Sequence, residues 1–149
     1  MNGKTNFTRE ERLHRASLRV AHVMRGMWEE KGASHSRLLE PPLIDDELVT
    51  IGRSRACGDK LHREHVIPCI LIVRECHRLL AAGRDDEEIA AFIREHVKIV
   101  HISSDEARRL DRVSELGLKQ RMPEGWRFGD DPFARFEAAG VEWDLLPDP

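Results

Sequence analysis

The chain has 149 residues, of which 40% are apolar and 34% charged, with three tryptophans, five phenylalanines and no tyrosine. That length supports one hydrophobic core, and the composition excludes collagen-like, low-complexity and disulfide-scaffold classes. A net charge of −3 argues against a uniformly basic nucleic-acid binder. The charge is unevenly placed: residues 122–149 hold seven acidic against two basic side chains, leaving residues 1–121 nearly balanced, with 22 basic and 20 acidic. Three cysteines cannot all pair with one another, which points to a reducing cytoplasm. The longest apolar run, Val66–Val73, is interrupted by Pro68 and falls short of the ~18 residues needed to cross a bilayer, so no membrane association is expected. Met1–Asn6 lacks the apolar stretch of a signal peptide.

Thr8 followed by Glu11 has the spacing of a capping box and predicts a helix start. Leu13, Val20, Met24, Met27 and Trp28 recur as a helical stripe, and Gly32 is the expected stop. The opposite face carries Arg9, Arg12, Arg15, Arg19 and Arg25, read as a solvated row with phosphate or partner contact as the alternative. Residues 33–46, with Pro41-Pro42 and Asp45-Asp46, read as a linker into a short helix near Glu47–Thr50, and Gly52–Asp59 as a basic loop. Leu61–Ile67 suits a short strand, and Pro68 suits the first turn of a helix through Cys69–Ala82 that Gly83 stops. Asp85 or Asp86 caps a further helix with Ile89, Phe92 and Ile93 buried, and Val97–Ile102 alternates as a strand. Ser103 or Ser104 caps a helix whose acidic first turn suits its positive end; it is expected to run through Leu110 and Val113 to near Gly117. From Met122 onward prolines and glycines break the chain, and Trp126, Phe128, Phe133, Phe136 and Trp143 predict a tail held by aromatic burial.

The stretch His62-Arg63-Glu64-His65-Val66-Ile67-Pro68 is the most informative. An acidic residue directly before a histidine, then two aliphatics and a proline, resembles the first element of the ββα-metal (HNH-type) nucleases, here over roughly residues 58–113. Gly117–Pro123 and Asp131–Phe136 are similar to a pattern in small phage and bacterial proteins that carry a Glu-His-Val-x-Pro element. The resemblance implies an α+β fold, predominantly helical, with a small two-stranded ββα-metal-like element and a loop-rich aromatic C-terminal tail. It divides one domain into an N-terminal helical segment 1–40, a core 41–121 with a helical insertion 68–96, and an acidic tail 122–149. It also implies a metal-dependent DNA endonuclease in which His65 is the general base and Glu64, with Glu106 or Asp111 from the following helix, holds Mg²⁺ or Mn²⁺.

The chemistry is coherent: a neutral imidazole takes a proton from water near neutral pH, and a hard cation on carboxylate oxygens stabilises phosphoryl charge. Arg63, Arg108, Arg109, Arg112 and Arg121 lie near these elements in sequence and are candidates for DNA phosphate contacts. A zinc reading of Cys57, His62, His65 and Cys69 competes less well, because the spacing matches no common zinc pattern. Cys69 and Cys76 share a helix face and read as small core residues, and His101 as facing either cleft or core. The alternative to a nuclease is a non-catalytic phage- or mobile-element-encoded inhibitor, or a DNA-binding accessory module, on a degenerate form of the fold, with a protein partner suggested by the acidic tail. A homodimer is compatible with cutting two strands.

Overall fold

Helix α1 (Arg9–Lys31) begins at the expected capping box, with Thr8 accepting from the Glu11 backbone and Glu11 from that of Thr8, and ends at Gly32, whose φ is 70°. The computed structural model describes residues 3–147 apart from Cys57 and Asp59. Val20 and Met24 of the predicted stripe are fully buried. The arginine row is not simply solvated. Arg9 donates to the Glu47 carbonyl, Arg12 pairs with Glu47, and Arg25 pairs with Asp86 at 2.6 Å, so three of the five side chains fasten α1 to its neighbours. Arg15 stacks over Phe7, 4.2 Å from its centroid.

The expected linker at 33–46 is packed rather than free, because its apolar side chains need burial. It forms a 3-10 turn at Ser36–Leu39, with a second at Asp46–Leu48 where a helix near Glu47–Thr50 was predicted; Leu38, Leu39, Ile44 and Leu48 are buried. The basic loop predicted from Gly52 is instead partly strand β1 (Thr50–Ser54). Gly52 permits this because the Trp143 ring lies against the strand where a Cβ would project.

Strand β2 (His62–His65) is followed by α2 (Cys69–Ala81), which starts after Pro68, and by α3 (Asp86–His96), capped by Asp85 accepting from Glu88 N at 2.9 Å. Strand β3 (Ile99–Ile102) then pairs antiparallel with β2, His62 opposite Ile102 and His65 opposite Ile99, so α2 and α3 are an insertion between paired strands as the sequence suggested. The pair is not a separate two-stranded element. It belongs to a four-stranded sheet of order β2-β3-β1-β4, in which β1 is parallel to β3 and the tail strand β4 (Trp143–Leu145) is antiparallel to β1.

Helix α4 (Ser104–Asp111) packs against β2. It ends earlier than predicted: Arg112 has ψ 129°, outside helical space, and Val113, expected within the helix, lies beyond it and is 90% exposed. The tail is held by aromatic contact as expected. Phe136 of α5 (Ala134–Ala138) is buried, Phe133 stacks on Trp143 at 4.8 Å, and Phe128 meets Trp126 and Phe92 edge-on. The protein is α+β, and among the described residues no helix is long and apolar enough to cross a membrane.

Candidate functional site

Side chains alternate across a strand, so on β2 His62 and Glu64 lean to one face and Arg63 and His65 to the other. Because β2 is an edge strand, both faces open onto one cleft of about 390 Å³ whose lining includes Glu40, Glu64, His65, Cys69, Asp111 and Arg135. Lys119 and Gln120, from the segment after α4, complete its rim.

On the Glu64 face the central group is Arg135, only 1% exposed, carried in by α5. Its Nη1 donates to Glu64 Oε1 at 3.0 Å and to the Leu118 carbonyl at 2.9 Å, and its Nη2 donates to the His65 carbonyl. A charged guanidinium has therefore been drawn into the interior by a carboxylate and two carbonyls, the pairing that buried charge requires. Burial raises the Glu64 carboxyl above its usual range and the neighbouring Asp111 raises it further, with Arg135 pulling the other way. The Arg135 guanidinium is lowered from its ordinary value, again by burial first.

On the other face, His65 Nδ1 lies 3.8 Å from Glu40 Oε1, and the His65 side chain is 13% exposed. Burial, reinforced by Arg63, lowers its pKa to about 4, so the ring is neutral at neutral pH. Glu40 is oriented by Arg63, which donates to it at 3.2 Å and grips both oxygens of Asp46 at 2.6 and 2.7 Å. Cys69, the first residue of α2, is not a plain core residue as the sequence suggested, whereas Cys76 is buried in the core. A Glu40 oxygen, a ring nitrogen of His65 and Cys69 Sγ lie within 4.8 Å of one another. Burial pushes the Cys69 thiol up to about 12, so it is protonated until a ligand displaces the proton.

The structure brings together some of the sequence candidates and separates others. Glu64, His65 and Asp111 line the one cleft. Glu106 does not reach it: its carboxylate accepts from Ser103 N at 2.9 Å, closing the cap of α4. Arg63 lines the cleft but is committed to Asp46 and Glu40. Arg108 pairs with Asp105, Arg109 donates to the Ala139 carbonyl at 2.9 Å, Arg112 follows the end of α4, and none of these three lines the cleft. Arg121 lies instead in an adjoining groove of about 480 Å³ with Arg74, Arg78, Arg127, Trp126 and Phe128; Gln120 lines both. His101 lies opposite Arg63 on β3, outside the cleft lining.

Of the zinc quartet, Cys57 lies outside the described residues, and His62 turns toward Glu64, 3.6 Å away, leaving His65 and Cys69 together. Glu40 and Arg135 were not anticipated. Arg135 sits in the Asp131–Phe136 stretch already singled out, and a lone arginine between Ala134 and Phe136 was the available signal. Comparison with family models, curated proteins and solved structures returns no match for this chain.

Proposed function

We propose that the cleft hydrolyses DNA phosphodiesters with the help of a divalent cation, on an HNH-like β2–β3–α4 unit with His65 as general base. One observation carries the reading. Among the described residues the buried side-chain atoms lacking any hydrogen-bond partner are His65 Nε2, Asp111 Oδ1 and Arg135 Nε, and all three residues line this cleft. Buried polar atoms are nearly always paired, so three orphans around one opening suit a site whose partner is a ligand.

The donor set fits a hard cation. Asp111 Oδ1 has no hydrogen-bond partner among the described residues, and Glu64, whose Oε1 is taken by Arg135, presents Oε2 beside His62 Nε2 at 3.6 Å. Mg²⁺ or Mn²⁺ held there would supply neutralisation of charge on the phosphoryl oxygens. His65, neutral because burial lowers its pKa, has a lone pair for the proton of an attacking water, and a pKa of about 4 makes it a weaker base than an ordinary imidazole. Arg135 fixes the turn after β2 through the His65 carbonyl, which limits movement of that imidazole. The adjoining groove carries four arginines and two aromatic rings against Glu75 and Glu124; with Arg78 held by Glu75, Arg74, Arg121 and Arg127 are its candidates for phosphate contact.

The test is nicking of supercoiled plasmid in Mg²⁺ or Mn²⁺. Cleavage is expected from the wild type, with a loss of about 10²-fold or more in His65→Ala and a marked loss in Asp111→Asn. No cleavage with either metal, or equal cleavage by wild type and His65→Ala, overturns the assignment.

A second reading, a DNA-binding or inhibitor protein without catalysis, is supported by the Arg135–Glu64 pair, in which a side chain already provides the cation that a metal would. Under that reading DNA binding weakens steeply with salt, is unchanged by His65→Ala and occurs without strand cutting.

A further inference from the structure

We propose that Glu40, His65 and Cys69 form a second metal site, of carboxylate–imidazole–thiolate type, that takes a transition-metal ion of the zinc class and thereby withdraws His65 from hydrolysis. The metal site stands on its own geometry, while its inhibitory consequence rests on the proposed function.

Three separate pieces of chain deliver the donors. Glu40 follows the Ser36–Leu39 turn, His65 ends β2, and Cys69 opens α2 four residues later, after Pro68 has turned the chain. Their ligand atoms lie within 4.8 Å of one another, and the Glu40–His65 pair is at 3.8 Å. A tetrahedral zinc with bonds of ~2.0–2.3 Å holds its ligand atoms about 3.5 Å apart, so closure asks only small side-chain rotations.

The donor chemistry selects the ion. A thiolate and an imidazole with one carboxylate suit Zn²⁺ or Co²⁺ and disfavour Mg²⁺, whose preference is for oxygen. A supporting shell is present: Asp46 holds Arg63 in two hydrogen bonds, and Arg63 holds Glu40, which fixes the carboxylate that a cation would need. Three protein ligands leave a fourth position open toward the cleft, as in sites that bind a water or substrate.

The site also differs from the carboxylate pair. Glu64 leans to the opposite face of β2 and is tied to Arg135, and Asp111 comes from α4, so the two donor sets share only the cleft. A metal bound to the imidazole occupies a lone pair that a general base needs, and hydrolysis then stops.

The experiment is titration of the chelator-stripped 149-residue protein with Co²⁺. One equivalent is expected to give thiolate-to-cobalt charge-transfer absorption and intense tetrahedral d–d bands, with one equivalent of Zn²⁺ displacing it and excess Mg²⁺ failing to. Cys69→Ser should abolish the charge-transfer band while keeping the wild-type circular dichroism, and Glu40→Gln should weaken binding about 10-fold or more. Cys57→Ser and Cys76→Ser should keep the band. No charge-transfer band, a band that survives Cys69→Ser, or one lost in Cys57→Ser overturns the site.

In the same samples Zn²⁺ should suppress Mn²⁺-supported nicking by the wild type, and Cys69→Ser should resist, each judged against its own rate without zinc. Absence of all nicking removes the hydrolase reading but leaves the spectra to decide the metal site. Nicking without a cobalt band overturns the site and leaves the hydrolase reading standing.

Discussion

In metal-free solution the imidazole of His65 ties stability to pH, and the size of the effect follows from its burial. The folded ring has a pKa of about 4, against an ordinary value of 6.5. As pH falls below 6.5 the unfolded chain takes up a proton that the folded protein refuses, so stability is full above that value and is lost on acidification, until the folded ring protonates near pH 4. Between about pH 7.5 and pH 5 the loss is about 2 kcal/mol, at ~1.36 kcal/mol per unit. Glu64 works in the opposite sense, because its raised pKa favours proton uptake by the folded state, so the raw curve mixes both. Subtracting the curve of His65→Gln isolates the imidazole. Urea unfolding in EDTA at the two pH values should show the wild type losing about 2 kcal/mol more than the variant. A difference that stays constant within about 0.5 kcal/mol across that range would refute the claim that the ring is buried and neutral.

Three further substitutions probe the framework. Arg135→Met should cost about 3–5 kcal/mol in urea unfolding, because it leaves the largely buried Glu64 carboxylate without its cation, and adding Glu64→Gln should recover part of the loss. Glu106→Ala should lower stability by about 1 kcal/mol through loss of the α4 cap while leaving nicking and the cobalt spectrum unchanged. Gly52→Ala should destabilise by about 1–3 kcal/mol and alter tryptophan emission, since the added Cβ meets the Trp143 ring and comes within 2.9 Å of the Asp144 carbonyl.

Features set by local physics were legible in the sequence. The Thr8–Glu11 box, the Gly32 stop and the strand–helix–helix–strand order from His62 to Ile102 depend on residues a few positions apart and appear as read, and of the two candidates Asp85 and Asp86 it is Asp85 that caps α3. Glu106 shows a signal present but weighed wrongly. Ser103 and Glu106 have capping-box spacing, so the same three-residue offset that starts α4 also occupies the carboxylate, leaving Asp111 at the far end of the helix for the cleft. Val113 keeps the helical spacing from Leu110, yet the helix ends two residues before it, because periodicity marks a face and not a terminus. Glu40 lies in no motif with Glu64 or His65, and the Asp131–Phe136 stretch marks Arg135 without pairing it with Glu64; their roles come from a turn packed beneath α2 and from the tail folding back, placements that no periodicity encodes. The arginines show the converse: Arg108, Arg109 and Arg112 are close to the motif in sequence, yet Arg108 pairs with Asp105, Arg109 is held by the Ala139 carbonyl of the tail, and none of the three lines the cleft.

The charges in the cleft turn the competition between side chain and metal into a measurement. Glu40, Glu64 and Asp111 are opposed by Arg63, Arg135 and Lys119, so the carboxylates have neutralising partners before any ion arrives. A dication at Glu64 and Asp111 must share them with the Arg135 guanidinium, and repulsion of this kind at short range is worth a few kcal/mol at an effective dielectric constant of ~20. Binding of Mn²⁺ there should consequently be weak in the wild type and at least ~10-fold tighter in Arg135→Met, since ~1.4 kcal/mol of relieved repulsion suffices. Cobalt affinity at Glu40, His65 and Cys69 should change less, because Arg135 hydrogen-bonds Glu64 and backbone carbonyls and acts on the His65 and Cys69 side chains only through space. Paramagnetic resonance of free Mn²⁺ reads the first affinity and the charge-transfer band the second, on variant protein shown to be folded by circular dichroism. If Mn²⁺ binds the folded variant no better than the wild type, Glu64 and Asp111 are not its ligands, and Arg135 is then the permanent cation of a structural pair.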